Sequence, residues 1–501
     1  MKASYLIPVL LLATILSGQP AIAQIDSVWS RTFGSLDNED GYCGIELPNG
    51  NILVVADVWV ERDGFYDWQM YMLSADGDSL WSRKYGRSGN EHIHSIVACR
   101  DGGYLLVGHS ESNRMTLRRL MMVKLDAEGH PLWTKEYGDM VEREFEAKNV
   151  IEDENGEFVI VGNTTLHGRF GLVEHPMVMR ISADGDSLNG VTVNADYHFG
   201  HYARAGVLTS DGGVAITGYY REDRDTTTAQ IMFLIKLDAD FQLEWTRTYL
   251  AGLKGEGTGI VQHEDGGFFI SGAIFYPDPN MEFEDAILLR TNSEGDSLWT
   301  AIFGGFYPEV TRHLIPGPNN GIIMAGAYSS QNQGYYRYWL ISIDEEGVPI
   351  WHRRYGGVLH DVCNWVAPTR DGGYVMIGQS ESYGNGREYY NDVWVLKLAP
   401  PDNVEQKKEV SSSPAQTELT GAYPNPFNSS ITVMVSVPTL SPIAVSLIDI
   451  SGRTLREWTE SPKKSGEFRI TFDGNGLVGG TYWLRLEQSG STVSQRLVLI
   501  R

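Results

Sequence analysis

Acidic side chains recur along this sequence, each about ten residues ahead of a turn in which Asp or Asn precedes Gly. The acids in equivalent positions are Glu39, Glu91, Glu309 and Asp361, and His92 follows the second of them. If the strands that begin here line a central channel, these carboxylates and the imidazole would lie at the channel mouth, where they could bind a cation or act as general acid and base. The other interpretation is that each acid accepts hydrogen bonds from a neighbouring loop. Recurrence in several repeats favours this second interpretation.

Histidines near the same positions raise the question of a metal site. His92 and His94 are two residues apart, so both side chains would lie on one face of a strand. A metal would need a third ligand from another part of the fold. The chain has no Cys-x-x-Cys, His-Glu-x-x-His, Gly-x-Ser-x-Gly or phosphate-loop motif. The sequence therefore predicts no metal, no cofactor and no assigned catalytic residue.

Aromatic and basic residues gather in the longer, dissimilar segments between the apolar runs. Flat rings beside hydrogen-bonding groups suit sugar rings or peptide segments. The predicted ligand-binding residues are Tyr66, Trp68, Arg114, His167, Tyr219, Tyr220, Tyr276, Tyr335, Tyr336, Arg387, Tyr389 and Tyr390. The alternative is that some of these tyrosines only cover the ends of the fold.

A repeat must position these residues. Its anchor reads Trp, a polar pair, a further residue, an aromatic and Gly, as in Trp81-Ser-Arg-Lys-Tyr-Gly86. Other copies begin at Trp29, Trp133, Trp245, Trp299 and Trp351, and a worn copy lies at Asn189. Successive anchors are 52, 52, 56, 56, 54 and 52 residues apart. A period of this length is typical of propellers and solenoids.

Each period contains four short runs rich in Val, Ile, Leu and Tyr, separated by Asp-Gly or Asn-Gly turns. The last period has only three runs, and the Trp29 anchor at the start can supply the fourth. The sequence therefore predicts an all-β chain whose residues 24–399 form a seven-bladed β-propeller, closed by an N-terminal strand in the last blade. The turns on one face of the propeller would be short, whereas the loops on the other face would be long and variable. Binding sites usually lie in such loops, so this long-loop face is the predicted binding face.

Bulk properties restrict the setting. The chain has 501 residues and a net charge of −24, which argues against nucleic acid as a partner. Residues 1–23 combine a positive start, an apolar run and Ala21-Ile22-Ala23, which is typical of a signal peptide. No segment is long and apolar enough to predict a membrane span. A bridge between Cys43 and Cys363 would lock the ring, although the separation between blades argues against it.

The composition changes after the repeats. Residues 400–420 are polar and predict a flexible linker, and residues 421–501 contain alternating strands that predict a small immunoglobulin-like β-sandwich. Three motifs follow in order: Tyr-Pro-Asn-Pro-Phe-Asn at 423–428, Ile-Asp-Ile-Ser-Gly-Arg at 448–453, and Gly-Thr-Tyr-Trp-Leu-Arg-Leu at 480–486. This module resembles the type A C-terminal sorting domain of the type IX secretion system. The resemblance implies export, interaction with that secretion machinery, and a secreted or outer-surface location.

The repeats resemble exported bacterial propellers built on Leu-Trp, Tyr-Gly and Asp-Gly-Gly-Tyr motifs, and that resemblance implies a fold and a setting but no reaction. We therefore expect a binding or interaction protein that uses the long-loop face for a glycan or protein ligand. One alternative is an extracellular polysaccharide hydrolase or lyase that uses the recurrent carboxylates and His92. Another is a spacer with no small ligand.

Overall fold

A computed structural model describes residues 27–35, 38–60, 64–86, 89–112, 118–138, 144–168, 171–193, 200–221, 230–250, 254–275, 284–303, 308–329, 335–384, 390–401, 417–423, 430–462 and 466–499. The described chain is built from β-strands, with one short 3-10 turn at Pro318–Asn320. The all-β prediction is confirmed.

Before the tail, the strands of the described residues form seven four-stranded antiparallel sheets. In chain order the first strands are β1 (Ser27–Phe33); β2 (Glu39–Glu46), β3 (Ile52–Val60), β4 (Phe65–Leu73), β5 (Ser79–Tyr85); β6 (Gly89–Ala98), β7 (Tyr104–Ser112), β8 (Arg118–Leu125), β9 (Pro131–Tyr137); β10 (Glu144–Glu152), β11 (Phe158–Gly168), β12 (Gly171–Ile181), β13 (Ser187–Thr192). They continue as β14 (His201–Leu208), β15 (Val214–Arg221), β16 (Gln230–Leu237), β17 (Leu243–Thr248); β18 (Lys254–Gln262), β19 (Phe268–Phe275), β20 (Glu284–Thr291), β21 (Ser297–Phe303); β22 (Glu309–Pro316), β23 (Ile322–Ser329), β24 (Tyr336–Ile343), β25 (Pro349–Tyr355); β26 (Asp361–Pro368), β27 (Tyr374–Ser380), β28 (Asp392–Leu398).

The sheets are arranged in a ring. The leading strands β2, β6, β10, β14, β18, β22 and β26 each contact the next, and β26 contacts β2. β1 pairs antiparallel with β28, so the earliest strand completes the sheet formed by the latest three. An apolar cluster fills the space between each pair of neighbouring sheets, including the last and the first. This arrangement of sheets around an axis is that of a β-propeller.

Position in a sheet explains the strand sequences. The second and third strands are covered by a neighbouring sheet on both faces, so β3 and β16 are mostly apolar and almost wholly buried. The fourth strands lie at the outer edge, and β5 is mostly exposed. The leading strands alternate between buried and half-exposed residues, as in β6.

The repeated Trp and Gly hold neighbouring sheets together. Trp81 in β5 packs on Gly129, which lies in the turn between β8 and β9 of the next sheet, and the Tyr85 hydroxyl donates a 2.6 Å hydrogen bond to the Gly129 carbonyl. A Cβ at Gly129 would lie 2.6 Å from the Trp81 ring. The same Trp-on-Gly contact recurs at other sheet junctions, for example Trp29 on Gly77. The anchor is therefore an inter-sheet contact, repeated around the ring.

This contact can be isolated by comparing two glycines. Gly129 and Gly102 have left-handed φ angles of 81° and 86°, but nothing lies within 4 Å of a Cβ at Gly102. We expect Gly102→Ala to cost about 1 kcal/mol from backbone strain alone. Gly129→Ala should cost about 1–3 kcal/mol more, because the methyl group overpacks against Trp81. Urea unfolding measures both, and equal losses would show that the Trp81 contact contributes nothing.

The three cysteines Cys43, Cys99 and Cys363 are free and buried. The Cys43–Cys363 bridge considered from the sequence therefore does not form. Burial raises the pKa of the Cys363 thiol to about 12, so it is inert at neutral pH. These residues fill space between sheets.

The tail has two sheets of its own. Its strands are β29 (Glu418–Tyr423), β30 (Ser430–Val437), β31 (Ile443–Asp449), β32 (Thr454–Glu460), β33 (Gly466–Asp473), β34 (Gly480–Gln488) and β35 (Ser491–Leu499). One sheet has the order β29-β30-β33 and the other β32-β31-β34-β35. Both contribute to one apolar core, for example through Val433 from the first and Leu447 and Leu484 from the second. Two sheets sharing one core are packed face to face.

Candidate functional site

Each leading strand of the ring carries a β-bulge at the same point. The register with the second strand shifts by one residue, which leaves one residue of the leading strand without a partner. The seven bulge residues are Tyr42, His94, Lys148, Arg204, Thr258, Arg312 and Asn364. A bulge redirects the side chain of its extra residue. All seven bulge residues line one central cavity of about 310 Å³.

Residues that follow the bulges complete the cavity wall. They include Asn149, Gly259, His313 and Trp365. The His313 and Trp365 rings are stacked, with centroids 3.6 Å apart. His313 Nδ1 lies 3.1 Å from the Val366 carbonyl, which requires a proton on Nδ1. Burial lowers the pKa of His313 to about 4, so the ring is neutral at pH 7. The cavity therefore has one aromatic wall that carries no charge.

The charge of the cavity wall differs from that of the whole chain. Among its lining residues are the cations Lys148, Arg204 and Arg312 and one carboxylate, Glu256. The chain as a whole has a net charge of −24. Arg204 forms an ion pair with Glu256 at 3.2 Å, and Lys148 contacts Glu146. In the described part of the chain, no carboxylate lies within 4.0 Å of Arg312.

A buried cluster lies behind the wall at His94. His94 Nε2 is 3.1 Å from His109 Nδ1 and 3.0 Å from Glu146 Oε1, and His109 Nδ1 is 3.6 Å from the same oxygen. Burial lowers the pKa of His94 to about 4 and that of His109 well below its usual value. The pKa of Glu146 is held well below its usual range because Lys148 and His94 outweigh the effect of burial. Both imidazoles are thus neutral beside an ionised carboxylate.

Two imidazoles and one carboxylate are a ligand set that zinc accepts, and their spacing is small enough for one ion. However, Glu146 Oε1 already accepts a hydrogen bond from Lys148, and Oε2 accepts one from Arg118 at 3.0 Å. A metal would have to displace the Lys148 ammonium from its only close carboxylate among the described residues. The cluster is therefore a hydrogen-bonded charge network.

His92 belongs to a separate pair. Its Nδ1 lies 2.8 Å from Asp57 Oδ2, and the Ile93 N–H donates to Asp57 Oδ1 at 2.9 Å. Burial raises the pKa of Asp57 to about 6 even though His92 lowers it. Burial lowers the pKa of His92, but the hydrogen bond and charge of Asp57 outweigh it and the pKa is raised. The pair resembles the His–carboxylate dyads that orient an imidazole.

The predicted channel-mouth acids lie on the other face of the leading strands. Glu39, Glu91, Glu309 and Asp361 are all buried, and the described cavity lining does not include them. Glu39 Oε1 accepts a 2.9 Å hydrogen bond from the Ser35 N–H. Asp361 Oδ2 accepts from the Gly357 N–H and the Ser382 hydroxyl, both at 2.8 Å. For these two acids the contacts are those of loop-holding residues.

The predicted aromatic residues divide into three groups. Trp68 is fully buried, and its ring packs in the core between the first two sheets. Tyr219 and Tyr220 are also buried. Tyr66, Tyr335 and Tyr336 are half-buried, and Tyr390 is exposed. Arg114, Tyr276, Arg387 and Tyr389, with the side chain of His167, lie outside the described residues.

Aromatic rings and guanidinium groups stack on one another beside the bulge residue Arg204. Tyr202 and Tyr219 are stacked with centroids 4.7 Å apart, and Arg204 lies over Tyr219 at 5.4 Å. Arg221 lies over Tyr202 at 5.0 Å. These cation–π contacts connect the bulge residue Arg204 to the predicted residue Tyr219. Elsewhere, Tyr66 packs on His92, and Tyr336 on His360.

Except for His94, which was considered with His92 as a metal ligand, the bulge residues were not among those predicted from the sequence. A signal for them exists, because each lies seven residues ahead of the Asp or Asn of the following turn, or eight in the case of Arg312. Their side-chain types differ from repeat to repeat, so a search for recurring residue types passes over them. Period-2 reasoning identifies them once the buried face of the strand is known.

Comparison with known proteins identifies the tail. Residues 421–500 match the family described as the secretion system C-terminal sorting domain. This tail belongs to proteins that the type IX secretion machinery handles, and the protein is secreted to the cell surface or exterior. No helix in the described residues is long and apolar enough to cross a membrane. None of the curated proteins compared matches the sequence.

Several solved structures are similar in fold at low identity. A fungal alcohol oxidase of the AA5 family, in complex with copper, is 11% identical over 96% of this chain and 100% of its own, with a TM-score of 0.45. The β-propeller domain of a protease from Pyrococcus furiosus is 11% identical over 75% and 100%, with a TM-score of 0.40. PorZ, a surface component of the type IX secretion system of Porphyromonas gingivalis, is 9% identical over 92% and 81%, with a TM-score of 0.22. At these values none of them assigns an activity to this chain.

Proposed function

We propose that residues 24–399 form a seven-bladed β-propeller closed by its N-terminal strand, that residues 400–420 are a linker, and that residues 421–501 are an immunoglobulin-like sandwich. The seven sheets, the ring of leading strands and the β1–β28 pairing support the propeller. The two facing sheets of the tail support the sandwich. Residues 1–23 would be removed as a signal peptide.

The proposed function is that of a secreted or surface-displayed binding protein, with a glycan or protein ligand at the long-loop face and the mouth of the central cavity. The observation that carries this proposal is the convergence of seven bulge side chains, of six residue types, on one cavity. A purely structural repeat needs no such variety at one position, because identical contacts would serve in every sheet. Unlike side chains on a rigid ring instead suit the recognition of an asymmetric ligand.

The aromatic groups above the cavity support the same proposal. Tyr66 in β4 and Tyr336 in β24 are half-buried, lie in two sheets separated by the closing sheet, and each packs on a histidine. Tyrosine supplies a flat apolar surface and a hydroxyl with little loss of conformational entropy. Such rings are well suited to contact a glycan that enters the cavity.

Binding can be tested on purified residues 24–501 with a glycan array and with polysaccharide depletion, each with and without calcium. We expect depletion of at least one polysaccharide without product formation. Tyr66→Ala and Tyr336→Ala should weaken that binding about tenfold each, because each loses one ring contact. Leu132→Ala, at an exposed position on the outer strand β9, is the matched control and should bind as the parent does.

The alternative is an extracellular polysaccharide hydrolase or lyase. The observation in its favour is the His92–Asp57 pair, with the imidazole oriented by a buried carboxylate beside Tyr66. This alternative predicts that the depletion assay releases reducing ends or unsaturated products, and that His92→Gln abolishes them. Product release of that kind would replace the binding proposal.

A further inference from the structure

We propose that the central cavity binds the carboxylate of a sugar acid, such as a uronate unit, through Arg312. This inference rests on the proposed binding function and specifies its ligand class. The three cations of the cavity wall differ in whether a carboxylate lies beside them. Two are neutralised by a carboxylate, and one is not.

The neutralised cations show where a partner acid belongs. In each leading strand, the residue two positions before the bulge lies on the same face as the bulge residue. Glu146 occupies that position in β10 and contacts Lys148 of the same strand. Glu256 occupies it in β18 and pairs with Arg204 of the preceding leading strand. A bulge cation can therefore be paired from its own strand or from the next one.

Both of these positions are apolar around Arg312. The residue two before the bulge is Val310 in its own strand β22 and Val362 in the next leading strand, β26. Arg312 is exposed to the cavity, and no described carboxylate lies within 4.0 Å of it. Burial raises the pKa of the Glu284 carboxyl, and the charge of Arg312 only partly offsets this effect. Glu284 and Arg312 form no ion pair within 4.0 Å. The repeat thus leaves a guanidinium directed into the cavity without its counter-charge.

The other groups that line the cavity indicate the rest of the ligand. A guanidinium binds a carboxylate through two parallel hydrogen bonds. Tyr42, on the leading strand β2, faces the same cavity, and its phenol is kept protonated because burial raises its pKa. Thr258 and Asn149 add a hydroxyl and an amide, and Trp365 adds an aromatic surface. This combination of one cation, several neutral polar groups and rings matches a carboxylate on a hydroxylated ring.

The size of the cavity favours a single sugar unit over a peptide segment. About 310 Å³ is at the lower end of the range for small-molecule sites. A folded acidic protein surface would not enter such a space. A longer acidic glycan could place one uronate in the cavity and extend over the rings on the long-loop face.

The test is isothermal titration of purified residues 24–501 with D-glucuronate and D-galacturonate, with glucose and galactose as neutral partners. We expect the acids to bind and the neutral sugars to bind about tenfold more weakly or not at all. Arg312→Gln should abolish the preference for the acids. The control is Arg83→Gln, which removes an arginine that lies over Trp81 on the outer strand β5. This variant should keep the preference for the acids.

A second variant separates charge from folding. Val362→Glu supplies the missing acid at the position from which Glu256 pairs with Arg204, so it should neutralise Arg312 and abolish uronate binding. Circular dichroism and the melting temperature must match the parent for this result to count. Uronate binding that survives both Arg312→Gln and Val362→Glu would overturn the inference, as would Arg312-dependent binding of an acidic peptide in place of uronates.

Failure of this inference is distinguishable from failure of the binding function. If the glycan array detects a neutral ligand whose binding is unaffected by Arg312→Gln, the uronate inference is wrong and the binding proposal stands. If neither the array nor the titration detects any glycan, and no protein ligand is captured, both are wrong.

Discussion

Replacing Glu146 by Gln is expected to lower the free energy of unfolding by about 3 kcal/mol, since it breaks a buried charge pair from one side. The substitution leaves Lys148, itself mostly buried, without its only close carboxylate among the described residues, and Arg118 loses a 3.0 Å contact. Burial and nearby arginines already lower the pKa of Lys148, which Glu146 holds up. Urea unfolding at pH 7 measures the loss.

A matched control is Glu256→Gln. Glu256 makes the equivalent pair with Arg204, whose side chain is 42% exposed. Exposed pairs contribute about 1 kcal/mol or less, so this loss should be clearly smaller. The double variant Glu146→Gln, Lys148→Met should recover part of the stability, because the uncompensated ammonium is gone. Equal losses for the two glutamates would contradict the description of the His94 cluster as a buried charge network.

The same experiment addresses metal binding. If the cluster held zinc in place of the Lys148 ammonium, a chelator would destabilise the parent protein and leave Glu146→Gln unaffected. On the charge-network description, the melting temperature does not respond to chelation. This comparison needs no assumption about activity.

The repeat made the fold predictable because its residues have local physical roles. Asp-Gly and Asn-Gly mark positions such as Gly102 where the chain must adopt positive φ. The Trp and Gly of the anchor recur because each Trp packs on a glycine of the next sheet, as Trp81 does on Gly129. Because this contact recurs at one spacing, its residues form a recognisable repeat in the sequence, even when the glycine that each Trp contacts is not known.

The site was less predictable, for a reason that lies in strand geometry. In β2 the residues Glu39, Gly41 and Cys43 are buried, whereas Asp40 and Tyr42 alternate with them. The recurring acid was expected at the channel, but Glu39 shares the face of Gly41, which packs against the last sheet, and its carboxylate accepts a hydrogen bond from Ser35. Either face of a leading strand is partly buried, so the sequence pattern does not show which one meets the cavity. The bulge that directs Tyr42 to the cavity depends on pairing with β3, which is a property of the folded sheet.

Stability is expected to fall steeply between about pH 6.5 and pH 4, which is a second large effect. Burial lowers the pKa of His94, His201 and His313 to about 4 and that of His352 to about 3. A histidine of the unfolded chain has a pKa of about 6.5. Within this window the unfolded chain binds more protons than the native chain, so stability is lost as the pH falls and is constant above it. Each histidine contributes a slope of about 1.4 kcal/mol per pH unit.

Other titratable groups change the size of this pH-dependent loss of stability. The pKa of Asp57 is raised to about 6 and that of His92 is also raised, so this pair opposes the four histidines. Below about pH 4.5, protonation of Glu146, whose pKa is held low, adds to the loss. Burial also raises the pKa of Asp40, Glu144, Glu174 and Glu284, which opposes the fall, and lowers that of His109 and His175, which adds to it. The buried histidines have the larger shifts, so the net effect of acidification is a fall in stability. Dilute samples are needed, because solubility is lowest near the isoelectric point of about 4.9.

The measurement is urea unfolding at pH 8, 7, 6 and 5, on the parent and on His352→Gln. His352 is 5% exposed, and Arg353 and Arg354 further lower its pKa, so its removal should flatten the slope by up to about 1.4 kcal/mol per pH unit. His130→Gln is the control for loss of a histidine from an exposed turn. A free energy of unfolding that is level from pH 7 to pH 5 in the parent would mean that these rings take up protons without unfolding. In that case, burial between the sheets would not keep these histidines neutral.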